Sequence, residues 1–511
     1  MMPKKLSDLL NCLPVDSIIA VHGNKNAKIS APIAESTLDL QRGGIFIARQ
    51  GLITDGHKYI RQAIEKGAAA IVGQQNIQDL PVPYVQVRDS QKAIGLLAAA
   101  YHDFPSRKMI VTGVTGTDGK TTTSAFLQSI MNIATNGKTG YISTIAADLG
   151  DATADTGFHV TTPGAPQVQQ YLKQMVVNGS THCVLEMTSH GLAQGRLNGV
   201  DIDIAVITNV AHEHLDYHGT WENYRNAKAI MFQMLSKSHS KPNQTKNSVI
   251  SADDPSFDFF AVIPADKHLS YSITALSDFQ ATNIEYHSDG THFQVNGQKY
   301  TVNLIGDFNV LNALAAITVA ASLGIDAETI REGIAAVKSL SGRMERIDEG
   351  QDFTAIVDFA HTPNALKNAL EACRPMLGEN GRLIAIFGSA GLRDVEKRRM
   401  MAETSAQLAD FTVLTAEDPR TELLDDILQM MADGCISQGG IENETFIRVP
   451  DRGEAIYKAC QMAKSGDIVI ACGKGHEQSM CFGTVEHLWD DRDAMRSALH
   501  GKPLKTLPTS T

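Results

Sequence analysis

At 511 residues the chain exceeds what one hydrophobic core organises, and about 150 residues per domain gives roughly three domains. Its 43% hydrophobic and 20% charged residues are ordinary globular usage, which excludes a disordered or fibrous protein. With 57 Asp and Glu against 45 Lys and Arg, the net charge of −12 repels polyanions and argues against a nucleic-acid partner.

Residues 1–106 read as a compact α/β module, with apolar runs at 44–48, 68–72 and 84–87 as strands and one helical stretch at 59–66. The first ten residues hold two lysines but no apolar run, and no stretch reaches the roughly 18 apolar residues of a membrane helix. The expectation is a chain that is neither secreted nor anchored in a membrane. Pro105 and Ser106 introduce a strand at 109–114, which enters a glycine-rich turn and a helical pattern at 120–134. Strand, glycine-rich loop and helix in that order are the plan of a P-loop-type α/β domain, here 107–340. It continues through strands at 181–185 and 204–208, a polar loop at 236–247 read as a flexible insertion, and a last clear helix at 309–323. Over 341–511 a strand, a polar turn and a helix repeat four times, with strands at 353–359, 382–387, 411–414 and 467–471. Helical patterns at 364–377 and 395–408 lie between them. That alternation predicts a doubly wound, Rossmann-like sheet whose ligands sit beyond the carboxyl ends of the strands. Residues 503–511 read as a frayed tail. Seven cysteines without a C-x-x-C pair point to a reducing cytoplasm rather than to disulfides or a cysteine zinc site.

The strongest local signal is Gly116, Thr117, Asp118, Gly119, Lys120, Thr121 and Thr122. Glycines let backbone N–H groups converge on phosphate oxygens, Lys120 reaches the β- and γ-phosphates, and the Thr121 hydroxyl suits Mg²⁺. A nucleoside triphosphate is the expected guest, although the common spacing would need Gly where Val114 stands. Two strand ends follow with candidate metal ligands: Glu186, with Thr188, Ser189 and His190; and Asn209, His212, Glu213, His214, Asp216 and His218. The second set reads as a zinc site by its His-x-His spacing or as part of a Mg²⁺ site beside the phosphate loop, and the missing cysteines favour Mg²⁺. Lys228, on a helical pattern at 221–235, reads on its own as a surface charge. The last region supplies four strand-end clusters: 358–363, 388–394, 417–420 and 473–477. Together they describe a pocket for a small zwitterion, with Arg393 and Arg420 for carboxylates and Glu477 and Asp418 for ammonium groups.

In this order the motifs resemble the Mur ligases, ATP-dependent amide-forming enzymes of peptidoglycan synthesis, over essentially the whole chain. The resemblance rests on GTDGKTT at 116–122, EMTSHGL at 186–192, HEHLDYHG at 212–219, YRNAK at 224–228, GDFNVLNALAA at 306–316 and GRME at 342–345. It continues with DFAHTP at 358–363, GLRD at 391–394, EDPR at 417–420 and GKGHE at 473–477. Within the family the chain looks most like the MurE type, which adds the third residue of the stem peptide. Ser36, between Glu35 and Thr37, and the segments 43–48 and 55–59 look like that type's uridine-diphosphate module.

The resemblance implies that Lys120 and Thr121 bind ATP phosphates and Mg²⁺, with Glu186 and His214 as metal ligands and Lys228 carbamylated by CO₂ to hold a second Mg²⁺. Asn309, Arg343, Asp358 and His361 would face the nucleotide. Ser36, Thr161, Thr162, Ser189, Gln194 and Arg196 would hold UDP-MurNAc-L-Ala-D-Glu. Arg393, Glu417, Asp418, Pro419, Arg420, Gly473 and Glu477 would line the site of the incoming diamino acid. A monomer is expected. Two positions depart from the family's usual form. Asp118 stands for an Asn, which puts negative charge near phosphate. Asp418 stands for the Asn of Asp-Asn-Pro-Arg, which favours a lone distal ammonium, as in lysine or ornithine, whereas Arg420 suits the distal carboxylate of meso-diaminopimelate, the favoured substrate. A folylpolyglutamate- or cyanophycin-type ligase would not need the uridine module. A catalytically silent homologue would not need Lys120, Thr121, Glu186, His214 and Lys228 together.

Overall fold

The computed structural model, which describes residues 2–51, 54–144, 146–154, 162–211, 213–287 and 290–509, builds three large sheets one after another along the chain. The first has strands β1 (Ile18–His22), β2 (Ile33–Ala34), β3 (Ile45–Ile47), β4 (Ala70–Gly73) and β5 (Tyr84–Val87), in the order β1-β5-β4-β3-β2. Only β1 runs antiparallel to its neighbour. The expected helix is α1 (Ile60–Glu65); a second, α2 (Ser90–Tyr101), was not expected. Its run of alanines and leucines is buried on nearly every side, so it lacks the polar face that marks a surface helix, and Asp89 caps it by accepting from Lys92 N.

The second sheet begins with β6 (Ile110–Thr115), followed by α3 (Lys120–Ala134), β7 (Thr139–Ile142), β8 (Ala147–Asp148) and β9 (Thr153–Ala154). Next come β10 (His182–Glu186), α4 (Ser189–Ala193), β11 (Ile204–Ile207), α5 (Leu215–His218) and α6 (Trp221–Lys237). Strands β12 (Asn247–Ser251), β13 (Lys267–Ser272), β14 (Phe279–His287), β15 (Gly290–Val295) and β16 (Gln298–Val302) complete the order β9-β8-β7-β10-β6-β11-β12-β13-β14-β15-β16. Central β6 pairs in parallel with β10 on one side and β11 on the other, so three carboxyl ends emerge together. Helix α7 (Phe308–Ser322), mostly apolar and largely buried, packs on α3 and the sheet. A further helix, α8 (Ala327–Ala336), follows the one expected to be last. The loop at 236–247 is no flexible insertion: Lys241 and Lys246 reach the buried Asp203 carboxylate at 2.5 and 2.9 Å, and Lys246 also donates to Ile202 O and His239 O.

The third sheet contains six strands rather than four: β17 (Glu345–Ile347), β18 (Thr354–Asp358), β19 (Leu383–Phe387), β20 (Phe411–Leu414), β21 (Phe446–Arg448) and β22 (Ile468–Cys472). The order is β17-β18-β22-β19-β20-β21, parallel except for edge strand β17. Helices α9 (Pro363–Cys373), α10 (Glu396–Leu408), α11 (Leu424–Ser437), α12 (Arg452–Met462) and α13 (Asp491–Leu499) cover its two faces. The expected frayed tail is held down as far as Thr509, with Leu507 buried and Thr509 Oγ1 donating to Asp451 at 2.8 Å. Among the described residues no helix is long and apolar enough to cross a membrane.

Arg452 ties the strand ends of this sheet. Its guanidinium, fully buried, meets Asp491 at 2.7 and 2.6 Å and donates to Ala416 O beyond β20 and Cys472 O of β22. Arg452→Met strands the Asp491 charge and should cost about 3–5 kcal/mol in denaturant unfolding, whereas Arg452→Met with Asp491→Leu should recover most of it.

Candidate active site

The phosphate loop is shaped by glycine at two points. Gly116 has φ +150° and Gly119 φ +80°, and an added Cβ would lie 1.7 Å from Thr208 Oγ1 and 2.1 Å from Asn312 Oδ1, respectively. The end of β11 straps the loop, since Thr117 N donates to Asn209 O, Asp118 N to Asn209 Oδ1 and Thr208 Oγ1 to Asp118 O. Helix α3 starts at Lys120, so its free N–H groups open towards the loop. The Lys120 ammonium folds back on Gly116 O and Thr117 O at 3.0 and 2.7 Å. Asp118 points to the third sheet and accepts from Asn364 Nδ2 at 3.1 Å. Burial, with the Glu213 carboxylate nearby, pushes its pKa up, which lessens the charge it sets against phosphate.

Glu186, at the end of β10, is 2% exposed and accepts from Thr121 Oγ1 at 3.1 and 3.0 Å and from Thr144 N and Oγ1. Past β11, His214 sits at φ +55° with its ring 4.6 Å from that of His190. Burial pushes the His214 pKa down to about 3, leaving a neutral imidazole. Burial opposes ionisation of Glu213, while the hydrogen bond from His361 and the Lys397 charge favour it. His361 Nε2 lies 3.3 Å from Glu213 Oε1. Lys228 is not a surface charge. It is 1% exposed, donates to Gly116 O at 2.6 Å and lies 4.2 Å from the centre of the Tyr224 ring. Burial first, and then the Lys120 charge, pull its pKa well below that of an ordinary lysine. His212 lies outside the described residues, and among those described no three His, Cys, Asp or Glu side chains are grouped to hold a metal ion.

A cavity of about 340 Å³ reaches from the phosphate loop to the third sheet; its lining includes Lys120, Thr121, Glu186, His214, Asn309, Arg343, Asp358 and His361, but not Lys228. Asn309 is held by Ile305 O and Asn312, Arg343 stacks on Phe359 and donates to Thr121 Oγ1 at 3.3 Å, and Asp358 accepts from Met344 N and Ala360 N. Burial raises the Asp358 pKa. Sequence reasoning missed Asp253, Asp254 and Tyr271, which line the same cavity. The two acids follow β12 after Ala252, so the strand-end rule could have found them.

On the other flank, Arg196 donates to Thr162 O at 2.7 Å and to Gln194 Oε1 at 3.0 and 2.7 Å, beside the Arg49–Glu35 pair at 2.9 Å. Glu35, Arg49, Gln194 and Arg196 line a cavity of about 320 Å³ between the first and second sheets. Thr162 Oγ1 donates to Glu186 O, and Ser189 meets His218 Nε2 at 3.2 Å. Ser36 is occupied in a turn, accepting from Leu38 N. Thr161 lies outside the described residues.

Arg393, Glu417, Asp418, Arg420, Gly473 and Glu477 line a third cavity of about 160 Å³ at the carboxyl edge of the third sheet, together with Lys397 and Asp216. Pro419 lies between Asp418 and Arg420, both at positive φ, +42° and +54°. The two acids expected to meet a substrate ammonium are instead joined by Lys474, which sequence reasoning passed over. Glu213, His214, Phe359, His361 and Glu477 line both this cavity and the 340 Å³ one, so the two share a wall.

Residues 39–102 match the Mur ligase family catalytic domain, 114–320 the Mur ligase middle domain and 342–475 the Mur ligase glutamate ligase domain. A UDP-N-acetylmuramyl-tripeptide synthetase of Roseiflexus sp. (strain RS-1) is 41% identical, over 89% of this chain and 92% of its own length. The chain belongs to the Mur ligase family. Another relative, a UDP-N-acetylmuramoyl-L-alanyl-D-glutamate–2,6-diaminopimelate ligase of Geobacillus thermodenitrificans (strain NG80-2), is 38% identical over 97% of this chain and 99% of its own. A solved structure of a ligase of the same name is 29% identical, with a TM-score of 0.67 over 98% of this chain and 99% of that one. The Mur ligase fold thus extends through all three sheets.

In this Mur ligase the depressed His214 pKa sets a pH dependence. Between about 3 and 6.5 the unfolded chain binds a proton at this residue that the native chain does not, so its contribution makes stability rise with pH. His214→Gln should flatten the unfolding free energy between about pH 4 and 6 by up to about 1.4 kcal/mol per pH unit, read from urea titrations across that range.

Proposed function

We propose that this Mur ligase is an ATP-dependent, amide-forming enzyme that joins meso-diaminopimelate to the D-glutamyl γ-carboxylate of UDP-MurNAc-L-Ala-D-Glu, acting as a monomer in the cytoplasm during peptidoglycan synthesis. The observation that carries the reading is the shared wall of the two cavities, because an acyl group activated on one side is reachable by an amine held on the other. The relatives named above as tripeptide synthetase and diaminopimelate ligase support it.

The carboxylate is inert towards amines until it is activated. The phosphate loop and the α3 N-terminus receive the triphosphate, and Lys120 turns from its loop carbonyls to the transferring phosphate. Thr121 and Glu186, oxygen donors already in contact, fit a hard divalent cation, and neutral His214 lines the same cavity. Mg²⁺ there would neutralise charge on the triphosphate. Lys228 is buried and shifted towards its neutral amine, the form that adds CO₂; as a carbamate it would offer two oxygens to a second Mg²⁺. Asn309, Arg343 and Asp358 orient the nucleotide. Arg196, Gln194, Thr162 and Ser189 hold the muramoyl dipeptide.

The γ-carboxylate attacks the γ-phosphorus and ADP leaves. The neutral α-amine of the diamino acid then adds to the acyl-phosphate carbonyl. The C–N bond forms, the C–O bond to phosphate breaks, and one amine proton departs with the phosphate. No covalent protein nucleophile is needed, so positioning and electrostatics supply the acceleration. Arg393 and Arg420 face the carboxylates of the diamino acid.

Phosphate release should require ATP, UDP-MurNAc-L-Ala-D-Glu and the diamino acid together; ATP hydrolysis indifferent to both acceptors would falsify the ligase reading. Lys228→Ala should lower kcat about 100-fold or more, with partial rescue by added short carboxylic acids, and wild-type turnover in that variant would remove the carbamate.

A further inference from the structure

We infer that Lys474, a residue with no role assigned above, sets which amino acid the third cavity accepts by cancelling the charge of Asp418. The inference rests on the proposed ligase reading and deepens it.

Lys474 stands one residue past Gly473, on the turn that leaves β22. Its ammonium is excluded from solvent, lies 3.1 Å from both Asp418 oxygens and 2.6 Å from Glu477 Oε2, and so bridges two acids of the cavity wall. Asp418 is fixed further by Cys481 N, which donates to Oδ1 at 2.9 Å. A short side chain held from two directions cannot also turn to a substrate ammonium. The Arg420 guanidinium, by contrast, meets the backbone carbonyl of Gly391 at 3.3 Å, which leaves most of its donors for an anion.

The charge balance follows. Lys474 with Asp418 and Glu477 carries one net negative charge, which matches one distal ammonium. Arg420 beside it matches one distal carboxylate. Because the attacking amine must be neutral, meso-diaminopimelate presents just this pair at its far end, and lysine or ornithine presents the ammonium alone. Without Lys474 the Asp418 and Glu477 carboxylates would lose the cation they share, and the same wall would suit the simpler diamines. Asp418 therefore does not turn this chain towards lysine, because its partner travels with it. Specificity here is a difference between two affinities set by a charge that the substrate never touches.

The test compares kcat/KM for meso-diaminopimelate and L-lysine in wild type, Lys474→Met, Lys474→Arg, and Lys474→Met with Asp418→Asn, with ADP affinity measured alongside. Lys474→Met should shift the ratio towards lysine by about tenfold or more, since like and unlike charges at this range act strongly in a buried site. Lys474→Arg should keep the wild-type preference, and the double variant, which restores the net charge, should return to within about threefold of it. ADP affinity should change by no more than about twofold throughout. An unchanged ratio in Lys474→Met, with both substrates slowed equally, would make Lys474 a strut and overturn the inference. If that variant does not fold, the double variant decides: a ratio moved about tenfold from wild type also overturns it. A wild type that turns over neither amino acid removes the ligase reading and this inference with it, a result distinct from an active wild type with an unmoved ratio.

Discussion

Two lysine ammonium groups meet at one oxygen. Lys120 and Lys228 both donate to the carbonyl of Gly116, inside a fold that buries Lys228 almost completely. Burying an ammonium is costly, the like charge beside it adds to the cost, and the molecule relieves both by disfavouring the proton on Lys228. A neutral amine beside a phosphate loop is a group waiting for an electrophile or a counter-charge. The rest of the centre can be understood from that imbalance. Glu186 is held by hydroxyls rather than by a lysine, His214 stays neutral, and Asp118 is drawn off towards Asn364, so the loop keeps its attraction for anions.

The geometry around this point comes from strand order. Because β10 and β11 flank β6, three strand ends deliver Glu186, the phosphate loop and the Glu213–His214 pair to one place. The third sheet does the same with Asp358, Glu417 and Gly473, helped by Arg452 binding one carbonyl just beyond β20 and the last carbonyl of β22. Two independent sheet edges then face each other, and the groups between them belong to both.

How far this was legible in the sequence depended on whether the signal was local. The phosphate loop announces itself because glycine freedom, a lysine and a helix start are adjacent in the chain, and α3 was expected over the residues it occupies. The bottom of the third sheet was legible in its four central strands, but edge strands β17 and β21 are three residues each and carry too little pattern. Burial of Lys228 was not legible from its helix, since it depends on Gly116, 112 residues away. The loop at 236–247 is polar because its lysines serve Asp203, and composition alone cannot tell a solvated charge from one that is spoken for. Lys474 escaped for the same reason: it sits in a glycine-rich motif where the acids drew notice, and only the fold reveals that one cation answers two of them. The resemblance to a family supplied roles for residues; the fold supplied their neighbours.

No strand pairing joins the second sheet to the third among the described residues. The polar contacts across the cleft are side-chain ones: Asn364 with Asp118, Arg343 with Thr121, His361 with Glu213 and Arg393 with Asp216, at 3.1 to 3.7 Å. The hydrogen bonds among them add only about 0.5–1.5 kcal/mol of net stability each, and the half-exposed Arg393–Asp216 pair adds less. Parting the two units therefore leaves both sheets intact, and under the proposed reaction the seam that would shelter a reactive mixed anhydride would also be the door through which spent nucleotide and lengthened peptide depart.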